Sequence, residues 1–390
     1  MNIQTKGKSN ANQMSVILYI FLLCLNVASR IVSSSTLTSF LFVEKGLWNN
    51  ILTKITIVGC FGIFILNKKY SIRKLVIMLI LFVFAIIITK MSNNMSFIQI
   101  SSFVLAYPDN IDTVKIAKWQ SYTFNVVTVF VFFMYQSGFI IADINWRNGI
   151  IRNSCGFTSA NGFANTILLS LIIFMYYKQD RWKLRHSIIW FGVVSYVYIM
   201  TNSRMSFILE LIVVIIMTFR YFKNKRFKNC IYSLSQYSFV SSLFFSVLIT
   251  VIYVKGYFTV ALTALNSFLS YRLSYMSRYF IDPGISPFGQ VLTMVSKSQA
   301  ASTGERWKGL DNSYIYMLIV WGVFGVIIFT LFMYLLGKYL KKTKNYYGAL
   351  YTLIISLVGI TENFLVIVSY NFSIILIAEM LSERRRKKPK

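Results

Sequence analysis

The sequence predicts an all-α integral membrane protein with about twelve transmembrane helices, because runs of roughly 18 or more apolar residues span a bilayer. Of the 390 residues, 56% are hydrophobic and only 13% are charged, which is about half the charged fraction of a soluble domain. Apolar runs recur along the whole chain, and Lys and Arg collect between them. We expect residues 1–390 to form a single polytopic membrane domain.

The expected spans follow the apolar runs, and several of them are short. The weakest is 97–114, because Pro108, Asp109 and Asp112 interrupt it; its outer half is the part that we expect to span. The first run lacks a clear small-residue cleavage site, so we interpret it as a retained helix. The runs lie at about 14–33, 51–66, 75–89, 97–114, 121–142, 163–177, 187–200, 205–220, 237–254, 313–336, 347–359 and 364–380.

The net charge of +28 is mainly a signal of orientation. With the N-terminus placed inside, the strongly basic segments 68–74, 178–185, 220–228 and 338–344 fall on one side, together with the basic tail 381–390. Cytoplasmic loops carry such an excess of Lys and Arg. We therefore expect both termini to be cytoplasmic and expect no nucleic-acid partner.

The cysteines indicate neither a disulfide framework nor a zinc site. There are four, and no two form a Cys-x-x-Cys pair. No cluster of metal-ligating residues is visible either. We expect metal-independent chemistry without a cofactor.

The longest extracytoplasmic loop is expected at 255–312. Its part 261–280 mixes aromatic and polar residues and is typical of an amphipathic helix near the membrane surface. Arg272 and Arg278 lie on it about 120° apart, so they do not share a face.

Arg204 lies between two apolar runs in the short stretch TNSR. The expected topology places it at the outer end of a tight helical hairpin. Asp311 and Glu362 are expected at helix ends on the same side, and Asp311 or Asn312 can cap the helix that follows. Polar groups at membrane depth are costly and usually functional.

Short motifs on the outer side resemble those of a known family. They are Arg152, Gly156, Phe157 and Asn161; Thr201, Ser203 and Arg204; Ser270, Arg272, Phe288 and Gly289; Asp311, Asn312, Ser313 and Tyr314; Trp321 and Gly322; and Thr361 and Glu362. Their order, their spacing and their common side of the membrane resemble the pattern of the O-antigen polymerase and ligase superfamily, especially its Wzy-type capsule and exopolysaccharide polymerases. The resemblance covers the chain from about residue 140 onward.

Two departures from the family pattern are informative. Members often have His-Pro before the asparagine, where this chain has Ser159 and Ala160. The ligase branch tends to carry a histidine in the large outer loop. The single histidine of this chain, His186, lies outside 255–312, which favours a polymerase over a ligase.

The resemblance implies a substrate, an oligosaccharide on undecaprenyl diphosphate, and a place, the outer face of a bacterial cytoplasmic membrane. It implies glycosyl transfer by a GT-C-like polytopic glycosyltransferase. Its expected partners are membrane lipids, and the candidate protein partners are a flippase and a chain-length regulator. Guanidinium groups suit the diphosphate because they grip phosphate oxygens bidentately. The candidates for the diphosphate are Arg204, Arg272, Arg152 and Arg278; for other substrate contacts, Asn161, Ser203 and Asn312; and for a catalytic carboxylate, Asp311 and Glu362.

Two alternatives use the same features. The first alternative is a flippase of lipid-linked sugars, because twelve helices with both termini inside are also a common layout of transporters. Transporters often show two related halves, but no internal repeat is visible between residues 1–195 and 196–390, which disfavours this alternative. The second alternative is ligation of finished glycan to an acceptor.

Overall fold

The computed structural model describes residues 3–42, 44–66, 72–108, 111–147, 149–219, 224–269, 271–295 and 309–383. Over these residues the chain is mostly helical, as the sequence predicts for an all-α membrane protein. Five of the described helices are long and apolar enough to cross a membrane: Gln13–Ser33, Lys45–Leu66, Ala160–Arg181, Lys225–Val254 and Gly322–Thr343. The total of twelve spans and the orientation stay predictions. Ser270, residues 296–308 of the large loop and residues 384–390 of the basic tail lie outside the described residues.

The helices of the first half are α1 (Ile3–Ser33), α2 (Leu37–Phe40), α3 (Lys45–Leu66), α4 (Ile72–Ser92), α5 (Ser96–Ala106), α6 (Thr113–Gln136), α7 (Ala160–Lys178) and α8 (Leu184–Thr201). Those of the second half are α9 (Arg204–Phe219), α10 (Lys225–Val254), α11 (Thr259–Phe268), α12 (Arg272–Ile281), α13 (Ser313–Val320), α14 (Gly322–Thr343), α15 (Tyr346–Thr361) and α16 (Ser373–Glu383). A short antiparallel hairpin, β1 (Ile144–Arg147) and β2 (Ile150–Asn153), lies between α6 and α7.

The bundle is built around long helices. Helix α10 packs along α14 and α15, while α1 packs against α3 and α6, and α7 contacts α6, α8 and α9. Large apolar side chains such as Ile17, Val58 and Phe244 point outward and are more than half exposed. Apolar exposure on this scale fits a surface that faces lipid.

The expected span 97–114 is not one continuous helix; its first half, the half that we expect to span, is helical as α5. Helix α5 ends at Ala106, and Tyr107 has an extended ψ of 121°. Its successor Pro108 disfavours the helical conformation at the residue before it. Helix α6 then begins at Thr113, where the Asp112 side chain accepts a hydrogen bond from the backbone N–H of Val114.

The expected span 313–336 is interrupted at Gly322, whose φ is +68°. The loop residues 282–295 pack backbone to backbone against this break. The N–H of Gln290 donates to the carbonyl of Ile319 at 2.9 Å. A Cβ atom on Gly289 would lie only 2.1 Å from the carbonyl oxygen of Val320. The Phe-Gly and Trp-Gly motifs of the sequence therefore meet in space.

Two further boundaries differ from the expectation. The single amphipathic helix 261–280 is two helices, α11 and α12, because the chain turns at Tyr271, whose φ is +64°. The last expected span, 364–380, is helical only from Ser373 onward. Residues 364–372 form hydrogen-bonded turns within the bundle; for example, the Gln120 amide donates to the carbonyl of Ser369.

Candidate functional site

A cavity of about 340 Å³ opens where the α8–α9 turn, the β-hairpin, α12 and the end of α15 meet. We call it the arginine cavity. Its polar lining is Arg147, Asn161, Ser203, Arg204, Arg272 and Glu362, and its less polar lining is Tyr198, Met205, Phe207, Ile208, Phe268 and Leu269. Five of these residues are candidates from the sequence: Asn161, Ser203, Arg204, Arg272 and Glu362.

The α8–α9 turn presents Arg204. Helix α8 ends with Asn202 in the left-handed conformation, with φ at +46°. This turn lets α9 begin at Arg204, whose side chain is exposed at the cavity. Among the described residues, no carboxylate lies within ion-pair distance of this guanidinium. Its charge is therefore available to an anion in the cavity.

Arg152 does not line the cavity, but it connects two of the segments that do. Its guanidinium donates to the backbone carbonyl of Thr201 and to the side-chain oxygen of Asn161, both at 2.5 Å. The Ser203 hydroxyl donates to the same Asn161 oxygen at 3.4 Å. Arg152 thus joins the start of α7 to the α8–α9 turn.

Arg147 lines the cavity but is not among the site candidates from the sequence. In the hairpin, Asn145 pairs with Arg152 and Arg147 pairs with Ile150. Side chains two positions apart share a face of a strand, so Arg147 and Arg152 lie on the same face. The signal that could have found it is the Asn-Gly dipeptide 148–149 between the short segments INWR and IIRN, because Asn-Gly is typical of a tight hairpin turn.

Arg272 bridges two carboxylates. Its guanidinium donates to Glu362 at 2.7 Å and lies 3.4 Å from Asp311. The side chains of Arg272 and Glu362 are 13% and 15% exposed, while that of Asp311 is 38% exposed. The first residue of α12 is therefore fixed to the end of α15, and both candidate carboxylates lie at one guanidinium.

Burial raises the pKa of the Glu362 carboxyl to about 7. The Arg272 guanidinium opposes this shift and the charge of Asp311 adds to it. Burial acts on Arg272 in the other direction, but the two carboxylates outweigh it and raise the pKa of Arg272. A carboxyl with a pKa near neutrality can exchange a proton at physiological pH.

The remaining arginines concentrate positive charge. Burial lowers the pKa of Arg147, and the charges of Arg204 and Arg272 lower it further. Burial likewise lowers the pKa of Arg152 to about 10, with Arg147 and Arg272 contributing. Guanidiniums that repel one another in this way outnumber the two carboxylates, so the site favours a multiply charged anion.

Two sequence candidates lie elsewhere. Arg278 is exposed on α12 and away from the arginine cavity, as its angular separation from Arg272 predicts. Asn312 is 1% exposed; its oxygen caps α13 by accepting from the N–H of Ile315, and its amide donates to Ser246 and to the carbonyl of Ile360. Asn312 therefore orders the helix ends beneath the site.

Fold and cavity together define a helical membrane protein with an arginine-lined site at its helix ends. No family model matches this chain, and neither a curated protein nor a solved structure is significantly similar to it. The resemblance of the short motifs to the polymerase and ligase superfamily thus stays an expectation.

Proposed function

We propose that the protein is a membrane glycosyltransferase that polymerises oligosaccharide repeat units carried on undecaprenyl diphosphate. The observation that carries this proposal is the grouping of Arg147, Arg204 and Arg272 around one cavity that also contains the Glu362 carboxyl. A diphosphate presents several anionic oxygens, and guanidiniums bind such oxygens bidentately. Stabilising the departing diphosphate is the main electrostatic task of this reaction.

The apolar lining supports a lipid-linked substrate. Phe207, Ile208 and Phe268 line the arginine cavity beside its charged residues, and Phe268 is 60% exposed. An anionic headgroup joined to a long hydrocarbon needs this combination of surfaces. A soluble sugar nucleotide has no need of the apolar side.

The proposed step moves one glycosyl group. A hydroxyl oxygen of the acceptor repeat unit attacks the anomeric carbon of the donor, and a new C–O bond forms. The bond from that carbon to the diphosphate oxygen breaks, and the diphosphate leaves with the electron pair. Glu362 takes the proton of the attacking hydroxyl, while Arg204 and Arg272 hold the diphosphate oxygens.

The test is a glycan profile of cells that lack the gene, with surface polysaccharide and undecaprenyl-linked oligosaccharides measured together. Single repeat units on the outer face, with loss of long polymer, are the expected result. Units held on the inner face would identify a flippase instead. Long lipid-linked chains without attached surface glycan would identify a ligase.

A further inference from the structure

A second pocket, of about 410 Å³, lies next to the arginine cavity, and we call it the amide pocket. Polar side chains from α1, α3, the α4–α5 connection and α5 dominate its lining. The polar lining residues are Arg30, Asn49, Asn50, Thr53, Asn93, Asn94, Ser96, Gln99, Tyr316 and Asn363. Side-chain amides are the commonest groups in this set.

Arg30 is the one charged side chain among the described residues that line this pocket. It lies in the last turn of α1. No carboxylate of the described chain lies within ion-pair distance of it. A guanidinium among neutral amides that has no carboxylate partner is a site for an anionic group of a ligand, because charge-assisted hydrogen bonds are the strong ones.

The amides are built into the wall and offer sites for hydroxyl groups. The Asn94 amide donates to the Tyr316 hydroxyl, and the Gln99 amide donates to the Thr56 hydroxyl, both at 3.0 Å. In contrast, the side-chain oxygens of Asn49 and Asn363 are buried and accept no hydrogen bond from a described residue. The exposed side-chain amides at the pocket are those of Asn50 and Asn93, which offer donors and acceptors to sugar hydroxyls.

The chain itself connects the two pockets. Glu362 lines the arginine cavity, and its neighbour Asn363 lines the amide pocket. Consecutive Cα atoms are about 3.8 Å apart. The two pockets therefore adjoin at residues 362–363, and a glycan seated in the amide pocket lies next to the chain segment that carries Glu362.

We infer that the amide pocket binds a sugar residue of the acceptor glycan that carries an acidic substituent, with that substituent at Arg30. The inference rests on the proposed function and adds the class of sugar. A diphosphate fits the pocket less well, because one guanidinium among amides offers it far fewer cationic contacts than the arginine cavity does. The repeat unit handled by this protein should accordingly contain an acidic residue.

Binding of soluble probes to the purified full chain in lipid nanodiscs tests this directly by saturation-transfer NMR. The probes are cellobiouronic acid, a disaccharide with one carboxylate, and cellobiose, its neutral counterpart. We expect the acidic probe to bind about tenfold more tightly, a difference of about 1.4 kcal/mol, because a hydrogen bond to a charged group is stronger than one between neutral groups. Arg30→Gln should abolish this preference.

Two further variants keep the result interpretable. Asn50 is exposed at the pocket, so Asn50→Asp should fold normally, place a carboxylate near Arg30 and also abolish the preference. Lys255→Gln removes an exposed positive charge outside both pockets and should leave the preference intact.

Equal binding of both probes to the wild-type chain would overturn the inference, and so would an unchanged preference in Arg30→Gln and Asn50→Asp. Neither result depends on turnover. Failure of the proposed function is seen separately, as unaltered polymer in cells that lack the gene.

Discussion

The Arg272 guanidinium lies 2.7 Å from the Glu362 carboxylate, although the two residues are 90 positions apart in the chain. One belongs to the large loop and the other ends α15. The contact therefore fastens a surface helix to the bundle. It also places a guanidinium and the carboxyl of the arginine cavity side by side.

Breaking this pair should destabilise the protein. Arg272→Gln leaves the Glu362 carboxyl without its nearest partner, and the loss of one member of a buried pair costs about 3–5 kcal/mol. We expect a clearly lower midpoint of thermal unfolding in detergent. The double variant Arg272→Gln with Glu362→Gln should recover much of this stability, because the buried Glu362 charge is removed and Asp311, which also loses its partner, is 38% exposed. It should nevertheless make no polymer.

Arg278→Gln is the matched control, since Arg278 lies on the same helix but is exposed and outside the cavity. It should change neither the unfolding midpoint nor the polymer. A single Arg272→Gln variant as stable as the wild type would show that the pair does not fasten the loop.

Arg204 should matter for activity and not for stability. It is exposed, and no carboxylate of the described residues pairs with it. Arg204→Ala should abolish polymer at normal protein levels. Arg204→Lys should lower kcat/KM about tenfold or more, because a single ammonium replaces a bidentate fork and the lost bond contributes about 1.5–3 kcal/mol. Full-length polymer from both variants would refute a role at the diphosphate.

Activity should rise with pH and level off above about 7, the pKa to which burial raises Glu362, because a general base acts in its deprotonated form. Asp311→Asn removes a negative charge that raises this pKa, so the midpoint of the pH–rate profile should move to lower pH. Rates measured in membranes across pH 5–9 check both points. A midpoint that moves upward in Asp311→Asn would exclude Glu362 as the titrating group.

The same group affects stability with a defined sign. The folded carboxyl, with its pKa at about 7 against an ordinary value of 4.5, holds its proton at pH values where the unfolded carboxyl has lost it. The free energy of unfolding should therefore fall as pH rises from about 4.5 to 7. Glu362→Gln should flatten that part of the stability profile, which pH-dependent thermal unfolding measures.

Local patterns in the sequence carried much of the candidate site. Arg204 was identifiable because a polar turn between two apolar runs is a local signal, and the structure places it at the turn between α8 and α9. The partners of Arg152 were not identifiable. They are Thr201 and Asn161. The bond to Thr201 joins residues 49 positions apart, and a contact over that distance leaves no mark on the composition or periodicity of the sequence.

Helix boundaries show the same division between local and tertiary causes. The stop before Pro108 follows from proline stereochemistry and is visible in the sequence. The break at Gly322 is not, because it depends on the approach of Gly289 from a distant loop. The turns at 364–372 lie in an apolar stretch where hydropathy predicts helix, and side chains such as Gln120 satisfy their carbonyls.

Gly289 provides the sharpest test of the loop packing. A Cβ atom there would lie 2.1 Å from the carbonyl oxygen of Val320, and the φ of Gly289 is +85°. In Gly289→Ala the new Cβ atom would collide with backbone atoms, so the loop or the α13–α14 break must shift. The φ of this position costs about 1–3 kcal/mol more for a residue with a side chain. We expect a lower unfolding midpoint and reduced polymer, since α12 with Arg272 reaches the bundle through this loop.

Gly192→Ala is the control for that substitution. Gly192 lies within α8, and nothing approaches its Cβ position within 4 Å. Alanine is the better helix former by about 1 kcal/mol, so the unfolding midpoint should stay equal or rise. If Gly289→Ala behaved like Gly192→Ala, the loop would not pack on the α13–α14 break, and the position of Arg272 at Glu362 would have to be maintained by their ion pair alone.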